Sequence, residues 1–414
     1  MGVNRTNALP PEQQVRIWNK KLRQEAPLED CFTNLRGVYT TSKRVDIGNE
    51  IFIDIGGEGK DNERFHRMTM QKDLSGAPRE GSTANQVTNE EDLIQKVFDI
   101  FYTDWSHAVS LQSYGIEAKT KDYWGIFEQI TPKLARYAQE YEGKYIREAL
   151  LERYDQNLTA QPHNLVQDWS PNIAVAGLHS TQWPVYNTNV AAWTNAIGTA
   201  LTTAGVGAQA SATIRFIQQA EENASARRII EPVSIGGKEC YIVVLPSPQC
   251  VFLKDPVIQG NLGSVFRDVS ALSEAEMNYP GVIGKIGRCI IVEDPRYPTL
   301  TLGGTAGGYT LTSQYRLAGR EVASDPRDFS LTARQVGYLL GKAAIAKWNP
   351  EPFHWEYEYE QYDKFGGKGI FTSWGFQMVQ WDYGPGNTVN VPTAATRQQD
   401  SSMVLLFSTP PLLV

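Results

Sequence analysis

Ile230-Glu-Pro-Val-Ser-Ile-Gly-Gly-Lys-Glu-Cys-Tyr-Ile-Val-Val-Leu-Pro-Ser-Pro248 is the stretch around which the rest of the chain organises. Gly236-Gly237 marks a turn, and Cys240-Tyr-Ile-Val-Val-Leu245 is an unbroken apolar run, the pattern of a strand buried on both faces. Upstream, the spacing predicts a helix from about Ala212 to Ile229. Downstream it predicts an amphipathic helix over roughly Asp255 to Arg267, a Gly-rich loop, and a second buried strand, Cys289 to Val292. The last third reads as a helix from about Leu331 to Trp348, a strand from His354 to Asp363, then Gly366-Gly367, and a strand from Ile370 to Trp381. Helices and strands mix without strict alternation, which predicts an α+β fold and not a doubly wound α/β sheet.

The N-terminal side is different in character. Met1 to Arg44 is rich in charge, Asn and Gln, with a short helical pattern at Val15, Trp18 and Leu22, and reads as an arm. From Val45 the pattern has period two: Val45, Ile47, Ile51, Ile53 and Ile55 share one parity, while Asp46, Glu50 and Asp54 take the other. This strand leads into a polar tract from Gly56 to Asp92, and Leu93 to Trp105 returns as an apolar limb. The simplest geometry is a long two-stranded excursion with a polar tip. An isolated hairpin is marginal in water, so this one is expected to lie on another surface. Arg64, Arg67, Arg79 and Glu80 make its tip a salt-sensitive polar clasp, with Phe65 as an apolar anchor against a neighbouring subunit.

Thr131-Pro132 then offers a cap followed by proline at the first helical position, and Leu134, Tyr137, Tyr141, Tyr145 and Ala149 recur every three or four residues. The predicted helix runs to about Tyr154, roughly 35 Å at 1.5 Å per residue. Its tyrosine stripe reads as a core face. Asn157 to Ala210 reads as loops with one weak helix.

At 414 residues and 41% apolar content the chain has material for two or three domains. A net charge of −7 with no long Lys/Arg block excludes a protein whose main work is gripping phosphates. Cys31, Cys240, Cys250 and Cys289 form no C-x-x-C pair, so reduced thiols are expected and neither a zinc site nor a disulfide framework is indicated. Met1 to Pro10 lacks the apolar segment of a signal peptide, and no stretch is long and apolar enough to span a bilayer as a helix.

Few motifs point to chemistry. Glu356, Glu358 and Glu360 share one face of the 354–363 strand, opposite Trp355, Tyr357 and Tyr359. Paired carboxylates serve glycosidases, yet same-face neighbours about 7 Å apart on a strand read first as a solvated acidic face. Gly205-Val-Gly-Ala-Gln-Ala210 matches a dinucleotide-binding string, but Ala191 to Ala204 before it is not a strand. Gly56-Gly-Glu-Gly-Lys60 lacks the spacing of a phosphate loop. The five histidines (His66, His107, His163, His179, His354) show no metal-ligand spacing, and no serine sits in a G-x-S-x-G elbow. No catalytic residue, cofactor or metal is expected. The sequons at Asn157 and Asn223 read as fortuitous.

The order of parts resembles the Hong Kong-97-type fold of tailed-phage major capsid proteins, and within them the N4-like family. The likeness rests on the 230–248 string, with its glycine-lysine turn and proline-ended strand. It also rests on Asp255-Pro-Val-Ile-Gln-Gly260, Gly281-Val-Ile-Gly-Lys-Ile-Gly287 and Leu340-Gly-Lys-Ala-Ala-Ile-Ala-Lys-Trp348. The resemblance implies an N-terminal arm (1–44), an extended hairpin loop (45–105), a peripheral domain with a spine helix and an insertion (106–235), and an axial domain (236–317). The remainder, 318–414, would supply closing elements of both domains. It further implies a non-enzymatic subunit assembled in a bacterial cytoplasm and carried in the virion. Many copies would form hexamers and pentamers of an icosahedral head, with scaffolding, portal and decoration proteins as further partners. Double-stranded DNA would be touched only weakly and non-specifically, and no membrane is involved. The rival reading is a carbohydrate-binding or carbohydrate-active protein using the aromatic and acidic strand 354–363.

Overall fold

A computed structural model describes residues 31–32, 51–55, 65–71, 95–110, 116–151, 173–183, 211–227, 230–255, 259, 265–268, 272–273, 281–297, 299–302, 309–312, 333–360, 365–379, 382–383 and 402–409. Strands β1 (Phe52–Ile55), β2 (Phe65–Gln71), β3 (Gln95–Phe101) and β4 (Thr103–Ser110) precede helix α1 (Ile116–Leu151). After β5 (Ile173–Val175) come α2 (Ile214–Glu222), β6 (Val233–Ile235), β7 (Lys238–Pro246) and α3 (Ser247–Lys254). The chain continues through β8 (Arg267–Asp268), β9 (Val282–Ile286), β10 (Cys289–Asp294), β11 (Thr299–Leu302) and β12 (Tyr309–Thr312). It closes with β13 (Ala333–Leu340), β14 (Ile345–Glu360), β15 (Phe365–Met378), β16 (Asp382–Tyr383) and β17 (Met403–Ser408). The mixture is α+β.

The larger sheet has ten strands and runs β12-β11-β13-β7-β10-β9-β8, with β17 and β5 joined beside β13 and β6 beside β7. Its centre is the parallel pair β7 and β10, Tyr241 opposite Cys289 through Pro246 opposite Asp294. Every residue from Cys240 to Leu245 is buried, as the apolar run requires of a strand covered on both faces. Ile235 pairs with Lys238 across Gly236 and Gly237, whose φ of 58° and 76° make the two-residue turn that a tight hairpin needs.

The smaller sheet runs β1-β14-β15-β4 and carries α1 on one face. Its first pairing is parallel, Phe52 opposite Ile345 to Ile55 opposite Trp348. Thus the strand expected at 45–55 is found at 52–55, paired with β14 and not with the returning limb. The two-stranded excursion is instead β2 with β3, Phe65 opposite Phe101 through Gln71 opposite Gln95, and β16 adds a third strand beside β3.

Several expectations are corrected. Leu331 to Trp348 is not a helix: β13 and β14 occupy it. Every residue is buried from Gln335 to Gly341 and again from Ala343 to Trp348, so strand pairing on both flanks overrides the Ala-rich helical pattern. Val282 to Ile286, within the stretch expected as a Gly-rich loop, is a strand, β9, paired with β10. Pro132 does not start α1 but lies inside it, exposed, and the helix of 36 residues is about 54 Å long by its rise per residue. A proline there forfeits the bond its missing N–H would have sent to Glu128, and its ring crowds that same carbonyl.

Pro246-Ser-Pro248 ends a strand and also opens α3, since proline in the first turn lacks an N–H that has no helical partner anyway. Of the helix expected at 255–267, Asp255 caps α3, Gln259 is helical, Val265 is a single 3-10 position, Phe266 is irregular and Arg267 lies in β8; 256–258 and 260–264 fall outside the described residues. The helix expected over 212–229 is α2, capped by the Thr213 hydroxyl on the Phe216 N–H and followed by a π-helical turn, Asn223–Arg227. Within 157–210 the described residues hold β5 and a 3-10 turn, Ser180–Gln182.

Candidate functional site

The hairpin is rooted on the smaller sheet by close packing. Met68 and Ile100, on β2 and β3, are 2% and 0% exposed. Trp348 receives the Tyr102 ring edge-on at 5.0 Å and the His66 ring at 5.7 Å. Gly375, opposite Trp348 on β15, has no room for a side chain, because a Cβ there would run into the Phe101 carbonyl. Such contact sets the angle at which the excursion leaves the body. Phe65 and Arg67 both lie on β2, opposite Phe101 and Asp99. Arg64, Arg79 and Glu80, the remainder of the expected clasp, lie outside the described residues.

On the opposite face of the same sheet an aromatic seam receives α1. Tyr137, Tyr141 and Tyr145 follow one another along the helix; the first two meet Trp105, whose ring also lies 5.2 Å from Trp374 and 6.4 Å from Phe353, and Tyr145 meets Trp374 at 5.7 Å. Tyr145 stacks on Phe376, with 3° between the planes. The tyrosine stripe is therefore packed in the body, as its spacing predicts. His107 stacks on Tyr137 at 4.2 Å, and burial pushes its imidazole below the ordinary value.

Two buried ion pairs join the C-terminal half of α1 to the sheets. Arg147 donates through Nε and Nη2 to both oxygens of Asp294 on β10, at 2.7 and 2.6 Å, with side chains 0% and 1% exposed. It also donates to the Gly143 carbonyl at 2.9 Å and lies over the Phe32 ring at 5.0 Å. Lys347 on β14 donates to Glu142 at 2.7 Å and lies over Phe376. Arg147 thus binds the helix to the larger sheet, and Lys347 binds it to the smaller one. Neither pair was foreseen. The available signal was Glu142, a carboxylate in the helical stripe between Ala138 and Ile146.

The acidic strand is half legible. Glu356 is exposed, its carboxylate 3.5 Å from His354 Nε2, while Trp355 is 2% exposed and packs with Leu134, Ala138 and Ile370. The indole is core and not a sugar platform. Gly205 to Ala210 lies outside the described residues, and Asn223 is buried. Among the described residues no group of three His, Cys, Asp or Glu could hold a metal ion, and no helix is long and apolar enough to cross a membrane.

No family model and no curated protein matches the sequence. Solved structures do. The capsid of Ralstonia phage GP4 is similar at 12% identity and a TM-score of 0.58, covering 92% of this chain and 96% of that one. The head of Helicobacter pylori bacteriophage KHP40 is similar at 13% identity and 0.57, covering 99% and 95%. The capsid of cyanophage Pam1 follows at 14% and 0.51, covering 91% and 95%. These likenesses lend nothing to the carbohydrate reading. At such identities they establish the fold: the chain has the α+β Hong Kong-97-type fold of tailed-phage capsid subunits.

Proposed function

We propose that this chain is the major capsid protein of a tailed phage, a non-enzymatic subunit whose copies close into an icosahedral head around double-stranded DNA. The observation that carries the reading is the extent of the likeness: nearly the whole chain matches nearly the whole of phage shell subunits. A shell subunit needs many moderate contacts, and extended elements gain interface area without a large core of their own. The hairpin braced on Trp348 and Gly375 is such an element. A chain of net charge −7 can line a DNA cavity without trapping its contents. In this reading the smaller sheet with α1 forms the peripheral domain. The larger sheet, centred on 236–317 and completed by β13 and β17, forms the axial one. The N4-like kinship suggested by the 230–248 string belongs to the same reading, as do assembly in a bacterial cytoplasm and partnership with scaffolding, portal and decoration proteins.

Negative-stain microscopy of the expressed chain, alone and with the scaffolding protein of its phage, tests the proposal. Closed shells or capsomers are expected, and small monodisperse monomers under both conditions would overturn it. Replacing residues 72–94 with a short Asn-Gly turn keeps β2 paired to β3 and removes the distal excursion. That variant is expected to remain soluble and folded but not to assemble; normal shells from it would sink the clasp.

A further inference from the structure

Cys240 and Lys285 meet across a strand that lies between them. Cys240 is on β7 and Lys285 on β9, with β10 in the middle. Lys285 is opposite Ile290, and Ile290 is opposite Ile242, two positions from Cys240, so all four share one face of the sheet. The lysine arm therefore crosses β10, and its Nζ donates to Cys240 Sγ at 3.5 Å. Cys240 itself is fully buried, but Lys285 is only half-buried and Glu239, next to the cysteine, is exposed. The pair sits at the end of the sheet near solvent.

The other three thiols lack this arrangement. Cys31 faces Arg147 at 3.5 Å, but a guanidinium stays protonated and cannot act as a nucleophile. Cys289 lies on the opposite face, 3.9 Å from Glu221 Oε2, and burial together with that carboxylate pushes its thiol well up. Cys250 donates to the Leu245 carbonyl, and burial raises its thiol as well. What distinguishes Cys240, equally buried, is the lysine ammonium beside its sulfur, which favours the reactive thiolate that burial alone opposes.

We propose that Cys240 and Lys285 form a reversible covalent sulfur–nitrogen bridge when the protein meets a peroxide. The Cys240 thiolate attacks one oxygen of hydrogen peroxide, the O–O bond breaks, and the departing hydroxide takes a proton from the Lys285 ammonium, leaving a sulfenic acid, water and a neutral amine. The neutral Lys285 amine then attacks that sulfur with its lone pair and gives up one N–H proton. The S–O bond breaks, and the departing hydroxide takes up a proton to leave as water. One thiol, one amine and one peroxide become one sulfenamide and two waters; sulfur loses two electrons and the peroxide gains them. The contact is already near the distance from which such an attack proceeds. Because the partners are 45 residues apart in sequence, the bridge closes a long loop and ties β7 to β9 over β10. A thiol reductant reverses it.

The test uses the full-length protein, treated with hydrogen peroxide, alkylated, digested without cleavage at lysine, and read by mass spectrometry. A peptide pair containing Cys240 and Lys285, lighter by two hydrogens than the sum of its parts and lost on reduction, is expected. Lys285→Arg keeps the charge beside the sulfur but removes the nucleophile, and is expected to yield sulfenic or sulfinic acid at Cys240 with no linked pair. Peroxide is also expected to raise the thermal unfolding midpoint of the wild type and not of Lys285→Arg. Oxygenated but unlinked Cys240 in the wild type, or Cys240 that does not react, overturns the proposal. These readouts need no assembled shell, so they stand or fall apart from the capsid reading.

Discussion

Replacing Arg147 with methionine removes the cation of an ion pair that water does not reach. Asp294 loses both of its charge-assisted hydrogen bonds and keeps the Arg296 N–H at 2.9 Å, with its side chain 1% exposed. An uncompensated buried carboxylate costs about 3–5 kcal/mol, because the attraction that offset its desolvation is gone while the desolvation remains. The cation over the Phe32 ring adds roughly 0.5–2 kcal/mol to the loss, and methionine's apolar contacts recover a part of it. Urea unfolding followed by the fluorescence of the ten tryptophans measures the change. Arg147→Met is expected to be destabilised by about 3–5 kcal/mol, and Arg147→Met with Asp294→Leu to regain more than half of that, since no charge is then stranded. The loss is expected to be the same at low and high salt, as counterions do not screen a pair enclosed by protein. A single variant within about 1 kcal/mol of wild type, or a loss that vanishes in salt, refutes the reasoning.

Gly375→Ala places a methyl group against the Phe101 carbonyl, and the hairpin root must shift to admit it. A cost of about 1–3 kcal/mol and loss of assembly are expected, read by urea unfolding and by microscopy; shells of normal yield would show that the root tolerates displacement. The His107 imidazole is held by burial below its ordinary 6.5, so the unfolded chain takes up the proton first as pH falls. Wild-type stability should therefore decline from about pH 7.5 downward through the folded value, and His107→Phe, which keeps a ring on Tyr137, should decline less. Equal urea midpoints for the two proteins at each pH would contradict this.

Local order was readable where one pattern had one physical meaning. Cys240 to Leu245 could only be a strand covered on both sides, and Gly236-Gly237 could only be a tight turn, because two successive positive φ angles exclude most other residues. The tyrosines of α1 take the packed face that their spacing requires. What escaped was the competition between patterns. Ala-rich Leu331 to Trp348 satisfies a helical spacing as well as a doubly buried strand, and only β17 and β7 flanking β13 decide between them. Val45 to Ile55 shows the right alternation, but alternation says nothing of the partner, which is β14, about 290 residues away.

The candidate site divides along the same line. That residues 56–92 hold few apolar side chains and cannot stabilise themselves follows from composition, since such a segment cannot bury enough surface to offset its ordering. How the excursion is braced does not. Trp348 with His66, and Gly375 with Phe101, meet from four strands, and no local spacing encodes that meeting. The same holds for Arg147 with Asp294 and for Cys240 with Lys285. Each is an unremarkable residue in its own segment, and acquires a role only when strands distant in sequence are placed side by side. Period and turn chemistry act within a few residues and are written in the chain; pairing and burial are long-range, and only the folded molecule selects among the partners the chain allows.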